Sequence, residues 1–187
     1  MAKSQKKGKK VWIKIMAPAE FNGIELGESY VYEPESLIGK KLDVNLSILI
    51  GDIKKQNTSV GFKIKEVKDR RVFAKIVSVE VQPTHVKRMV RTLKERIDDS
   101  FEVTSNDKAH IRIKPLLLTR AKVSNSVLTM MRKKIREKIK KLAAEHTASE
   151  MVMEIISGQL QRGLRTELSK IYPLTSCEIR KLELDDR

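Results

Sequence analysis

The chain has a single cysteine, Cys177, which excludes an internal disulfide framework and any cysteine-based zinc cluster and fits a reducing compartment. No run of about 18 apolar residues occurs and no apolar leader segment follows the N-terminus, so a soluble cytoplasmic protein without membrane partners is expected. Histidine is scarce: His85, His110 and His146 show no HExxH-like ligand spacing, and His146 with Glu150 reads as a surface contact. Asp98 and Asp99 are adjacent, so regular structure would send them apart instead of letting them share a metal or a proton. There is no GxxxxGK phosphate loop and no dinucleotide fingerprint among the glycines. No catalytic residue, metal or cofactor is therefore expected, and no enzyme.

Acid is also in short supply relative to base. The 39 Lys and Arg against 24 Asp and Glu give a formal charge of +15, far beyond what solubility requires, and point to an acidic partner. The opening "MAKSQKKGKK" holds five lysines, Lys3, Lys6, Lys7, Lys9 and Lys10, with no acid. Such a segment cannot bury a core, and residues 1–11 are expected to be a disordered basic tail. Even without it a surplus of basic over acidic residues remains, so the body at 12–187 carries most of the charge. Within that body, 12–122 reads as mainly β and 123–187 as mainly helical with a closing strand.

Composition and period place the elements. "VWIKIMAP" is strand-like, the next twenty residues with their glycines and Pro34 read as turns and loop, and "KLDVNLSILIGD" reads as a central strand entering a core. "VGFKIKEV" and "RRVFAKIVSVEV" suggest a hairpin, with Val77, Val79 and Val81 on one face. From Thr84, a candidate N-cap, a helical stripe runs through Val86, Met89, Val90, Leu93 and Ile97, with Lys87, Arg88 and Arg91 off it. "SFEVTS" and "AHIRIKPLLLT" flank a polar turn, helices bent near Gly158 and Gly163 fill 148–171, and "TSCEIRKLEL" is a strand with Cys177, Ile179 and Leu182 inward.

The densest charge lies in "RKKIREKIKK", residues 132–141, with seven cations against one glutamate. On a helix, Val127, Leu128, Met131, Ile135, Ile139 and Leu142 fall within an arc of about 120°. Lys133, Lys134, Arg136, Lys140 and Lys141 lie opposite, with Arg132 and Lys138 flanking the stripe. The apolar face docks on the body and the other is offered to a polyanion. Like charges three or four apart cost a few tenths of a kcal/mol per pair in isolation, and neighbouring phosphates reverse that sign. Arg112, Lys114, Arg120 and Lys122 precede the helix together with Ser124 and Ser126, either of which suits its N-cap or a phosphate oxygen.

Phe62, Phe73, Phe101 and Trp12 read as strand-core residues, while Tyr30 and Tyr32 are the better stacking candidates. With few aromatics and no zinc-finger, zipper or GxxG signature, the body is suited to gripping a backbone rather than reading bases, and folded RNA fits better than duplex DNA. The alternative reading is a protein-binding adaptor whose basic helices dock acidic proteins, RNA contact being incidental.

Four blocks carry a resemblance: "KIMAPAEFNGIELGESYV", "GKKLDVNLSIL", "RIKPLLLTRAKVSNSVLTMMRKKIREKI" and "LRTELSKIYPLTSCEIRKLEL". In order and spacing they are similar to the archaeal and eukaryotic small-subunit ribosomal protein family S1e, or S3Ae type, and the absence of the eukaryotic insertions and longer C-terminal tail resembles the archaeal form. The resemblance implies an α+β fold with an antiparallel β-barrel-like core packed with amphipathic basic helices. It also implies a structural, non-enzymatic protein of the small-subunit platform in the cytoplasm, in contact with rRNA, neighbouring ribosomal proteins and messenger RNA near the exit side. Candidate rRNA-binding residues are Lys3, Lys6, Lys7, Lys9, Lys10, Lys87, Arg88, Arg91, Arg112, Lys114, Arg120, Lys122, Arg132, Lys133, Lys134, Arg136, Lys140 and Lys141.

Overall fold

A computed structural model describes residues 9–68, 71–90 and 94–185. Strand β1 (Val11–Met16) buries Ile13 and Ile15 and leaves Trp12 and Lys14 on its other face, as strand alternation requires. The "APAEFNG" block that follows is a reversal with a plug. A 3-10 turn at Ala19–Phe21 leads into Asn22 and Gly23, both left-handed at φ 54° and 62°, and Ala17 N–H donates to Ile24 C=O at 2.8 Å. Asn and Gly are the residues that enter this conformation at least cost. Phe21 is thereby driven into the core, edge-on to Phe62 with ring centroids 5.8 Å apart.

The chain returns as β2 (Glu25–Val31), antiparallel to β1, where turns and loop were expected. β3 (Lys41–Asn45) is likewise shorter than expected and lies at an edge. It ends because the Asn45 side chain accepts the Ser47 N–H at 2.9 Å and opens helix α1 (Leu46–Ile50), which left-handed Gly51 terminates. β4 (Thr58–Lys68) and β5 (Arg71–Val81) form the expected antiparallel pair. A bulge sets Gly61 opposite Ser78 and Phe62 opposite Ile76, so burial passes from Val72, Ala74 and Ile76 to Val79 and Val81. Val77 is left half-buried instead of sharing their face.

Helix α2 (Pro83–Met89) is one short segment with Pro83 in its first turn and Gln82, not Thr84, flanking it. Val90 is extended, and the expected stripe does not continue: Ile97 belongs to β6 (Arg96–Asp98), fully buried. Leu93 lies outside the described residues. β7 (Phe101–Thr104) and β8 (His110–Thr119) pair across the polar turn. Then come α3 (Asn125–Glu145), α4 (Ala148–Ser157) and α5 (Gln159–Leu168), and finally β9 (Leu174–Leu184). Gly158, at φ 79°, breaks α4 from α5, whereas α5 runs through Gly163 without interruption.

The sheet is mixed, branched and open, which corrects the antiparallel barrel-like core. β5 has β4 along one edge, with β3 beyond it. Its other edge is shared by β1, parallel, from Arg71 to Phe73, and by β9, antiparallel, from Ser78 to Glu80. β9 continues to β8, whose far edge carries β7 and β6. A barrel needs its outer strands to join. Here β5 divides its edge between two strands, and among the described residues no ladder links β3 or β2 to β6 or β7. Helices cover the open sheet in place of closure: α3 packs on β7, and α4 and α5 pack on β9.

Candidate RNA-binding surface

Helix α3 is held by its expected stripe. Leu128, Met131, Ile135, Ile139 and Ala143 are buried, and Val127 and Leu142 are half-buried. Full burial of each large aliphatic side chain is worth about 1.5–3 kcal/mol, enough to fix a helix whose charges repel one another. Two of its cations act as staples. Arg136 donates from Nε to Asp99 Oδ2 and from Nη2 to Asp99 Oδ1, both at 2.7 Å, and its guanidinium stands 5.6 Å from the Phe101 ring centre. The Arg136 hydrogen bond holds the Asp99 carboxyl below the usual range. Lys138 pairs with Glu167 on α5 at 2.7 Å, and Glu167 is lowered first by that hydrogen bond and further by the charges of Lys138, Lys134 and Lys170.

On either side of these staples along the helix, Arg132, Lys133, Lys134, Lys140 and Lys141 are all exposed, and none forms an ion pair among the described residues. The approach to the helix is also pinned. Buried Thr119 accepts the Glu95 N–H at 2.9 Å and donates to Ala121 C=O at 2.7 Å, while Arg120 N–H donates to Pro173 C=O at 3.1 Å. Arg120 and Lys122 therefore leave a fixed loop and stand exposed next to α3. Ser124 occupies the N-cap, without a side-chain hydrogen bond.

Other predicted residues lie elsewhere. Arg112 and Lys114 extend from the face of β8 opposite Ile111 and Ile113, and each is matched: Arg112 Nε to Glu102 at 3.1 Å, Lys114 to Glu183 at 3.4 Å. Lys87 and Arg88 are exposed on α2, Arg88 donating to Asn57 Oδ1 at 3.2 Å. Lys9 and Lys10 are exposed before β1. Lys3, Lys6, Lys7 and Arg91 lie outside the described residues.

A row missed from sequence crosses three strands, with Lys41 opposite Lys63 and Lys63 opposite Lys75. Only the register reveals it, because the three are scattered along the chain. Lys170, beside Glu167, was missed for the same reason.

Among the described residues, the acids, histidines and cysteine singled out in the sequence do not converge. Asp98 turns to Arg180 at 3.2 Å while Asp99 turns to Arg136, as adjacent residues must. Burial pushes the Cys177 thiol up to about 12, which makes it inert at neutral pH. His146 lies between Glu150 and Glu154, at 3.9 and 3.5 Å. Among the described residues no three His, Cys, Asp or Glu side chains form a metal-sized group, and no helix is long and apolar enough to cross a membrane.

A family model described as the ribosomal S3Ae family matches residues 2–186. The chain belongs to the ribosomal S3Ae family. Similar proteins include the small ribosomal subunit protein eS1 of Nanoarchaeum equitans, 29% identical over 96% of this chain and 90% of that relative. The protein of the same name from Halorubrum lacusprofundi is 29% identical over 98% of this chain and 86% of its own length. That of Saccharolobus islandicus is 31% identical over 94% of this chain and 84% of its own. Within this S3Ae chain, Arg120 and Lys122 lead directly into α3, and Lys134 and Lys170 both lower Glu167 beside it.

Proposed function

We propose that this S3Ae-family chain is a structural, non-enzymatic constituent of the small ribosomal subunit in the cytoplasm, binding folded rRNA at the platform through its phosphate backbone. Neighbouring small-subunit proteins, and messenger RNA near the exit side, are the further partners of this reading. The observation that carries it is the set of five exposed cations on α3 that form no ion pair among the described residues, although Arg136 and Lys138 tie the helix to Asp99 and Glu167. Cations carried on a fixed helix suit a ligand whose negative charges are themselves fixed in space. Arg120, Lys122, Arg132, Lys133, Lys134, Lys140 and Lys141 make the principal contact, with Lys87, Arg88 and the N-terminal lysines as a second surface. Arg112, Lys114 and Arg136 reach phosphate only by sharing their acidic partners.

The test is a set of reversals, Lys133→Glu, Lys134→Glu, Lys140→Glu and Lys141→Glu together, read by rRNA binding against salt and by incorporation into subunits. Six to ten phosphate contacts make the unaltered protein lose about three to five powers of ten in affinity between roughly 50 and 200 mM salt. The reversed protein is expected to show a shallower salt slope and to fail to enter subunits. Intact rRNA affinity with lost protein contacts would instead establish the adaptor reading.

A further inference from the structure

The chain's only tryptophan is not in the core. Trp12 is 63% exposed, directly opposite Tyr30, itself 49% exposed, in the β1–β2 register. Their ring centroids are 4.9 Å apart with an interplanar angle of 33°. Tyr32 follows at 45% exposure, and Lys10 Nζ stands 5.5 Å from the Tyr30 ring centre and 5.1 Å from that of Tyr32. This corrects the expectation that Trp12 is a core residue and places it on the same exposed face as Tyr30.

A cross-strand aromatic pair helps a hairpin by about 0.2–1 kcal/mol, which explains why the rings meet. It does not explain why both stay in water, nor why a cation is placed over the tyrosines. Lys14, the next outward residue, is tied to Glu25 at 2.8 Å and lies 3.9 Å from Glu28, so among the described residues the cation over the rings is Lys10. The same face continues onto β5 through exposed Arg71, the register partner of Lys14. Exposed flat rings edged by cations match a ligand that alternates π-faces with phosphates. That is single-stranded RNA, whose unpaired bases can stack on side chains, whereas paired bases in a duplex keep their faces hidden.

We propose that Trp12 and Tyr30 form a stacking platform for one or two unpaired nucleobases of single-stranded RNA, with Lys10 on the adjoining phosphate. The platform rests on the reading of the chain as an RNA-binding protein and adds to it a second mode of contact, on the face of β1 turned away from the core.

Because Trp12 is the sole tryptophan, its fluorescence reports this patch alone. The full chain is titrated with a short oligoadenylate and, separately, with a short RNA duplex. Oligoadenylate is expected to quench Trp12. Trp12→Ala is expected to weaken oligoadenylate binding about tenfold while leaving duplex binding and its salt slope unchanged, and Trp12→Phe to retain most of the affinity. An unaltered thermal midpoint in Trp12→Ala confirms that the fold is intact. Should that midpoint fall, the same comparison with Trp12→Phe, quenching of the unaltered chain and Tyr30→Ala decides the matter. Binding of both RNAs without quenching, or with equal affinity in Trp12→Ala, overturns the platform and leaves the backbone reading standing. Failure to bind either RNA overturns both. A photo-crosslinker at position 12 that captures only protein in assembled subunits overturns the platform in favour of a protein contact.

Discussion

The exposed face of α3 and the outer face of the sheet are both rich in lysine and arginine, yet they differ in what those charges already touch. On the sheet, Lys14 meets Glu25, Arg112 meets Glu102, Lys114 meets Glu183, and Lys181 bridges Glu80 and Glu183 at 3.0 and 2.9 Å. A cleft of about 560 Å³ on that face is lined by charges of both signs, among them Asp43, Glu80, Arg112, Lys181 and Glu183. On α3, the two central cations Arg136 and Lys138 are matched, and among the described residues those before and after them form no ion pair. Cation density alone therefore does not mark an RNA surface. On the proposed reading the mark is an array on a fixed helix whose cations form no ion pair, because phosphate then displaces only water and counterions instead of an acidic side chain.

The strongest way to break this contrast is to compare the fourfold α3 reversal with a change on the sheet. The reversal is expected to lower rRNA affinity by roughly a thousandfold near physiological salt, measured by filter binding across a salt series. Next in size is Ile135→Ala, which removes part of the stripe that fixes the array. Ile135 is fully buried, so a loss of about 2–5 kcal/mol in denaturant unfolding is expected, with RNA affinity falling as the helix loosens.

Asp99→Asn sharpens the comparison from the other direction, by weakening a staple and leaving every outward cation in place. A partly exposed bidentate pair is worth at most about 1 kcal/mol. Asp99 is depressed in the folded state by Arg136, so its contribution is complete above the ordinary carboxylate range and is lost as pH falls through the lower folded value. Glu178 has the opposite sign: burial raises it, so its contribution is present at low pH and is lost as pH rises. Thermal midpoints measured from about pH 3 to pH 7 should show a shallower acid limb for Asp99→Asn than for the unaltered protein. The smallest effect is expected for Arg112→Ala, an exposed pair on the sheet. Its removal should leave the thermal midpoint nearly unmoved and the salt slope of RNA binding unaltered.

What could be read from residues alone follows the same division between local and distant causes. The α3 stripe was legible because its period is written into a single continuous segment and its buried face is one-sided. The inward set of β9, with Cys177, Ile179 and Leu182, was legible for the same reason. β2 was not, since it is half-buried at best and carries Gly27 in its middle. The end of β3 turned on one residue, Asn45, whose capping of α1 could have been suspected from its place before an apolar run. Ile97 was assigned to a helical stripe because its spacing fitted, but its pairing with Leu117 across the β6–β8 ladder prevailed.

For the candidate site, the positions of the α3 cations were legible and their partners were not. Nothing in the sequence links Arg136 to Asp99 or Arg112 to Glu102, because each pair depends on where a distant strand or turn is placed. Barrel closure failed for a similar reason. It came with the family resemblance, and the division of β5 between β1 and β9 is a matter of topology that no local pattern encodes.

The position of β9 also sets an order of events. It is the strand by which β5 and β8 become one sheet, and its partners Ser78 and Arg112 are both synthesised long before Glu183. During translation the two earlier portions wait with bare ladders, and a loop spanning most of the fold must shut before they are rewarded. A nascent S3Ae chain is thus committed late, and it is most exposed to mispairing with other chains just before its last strand arrives.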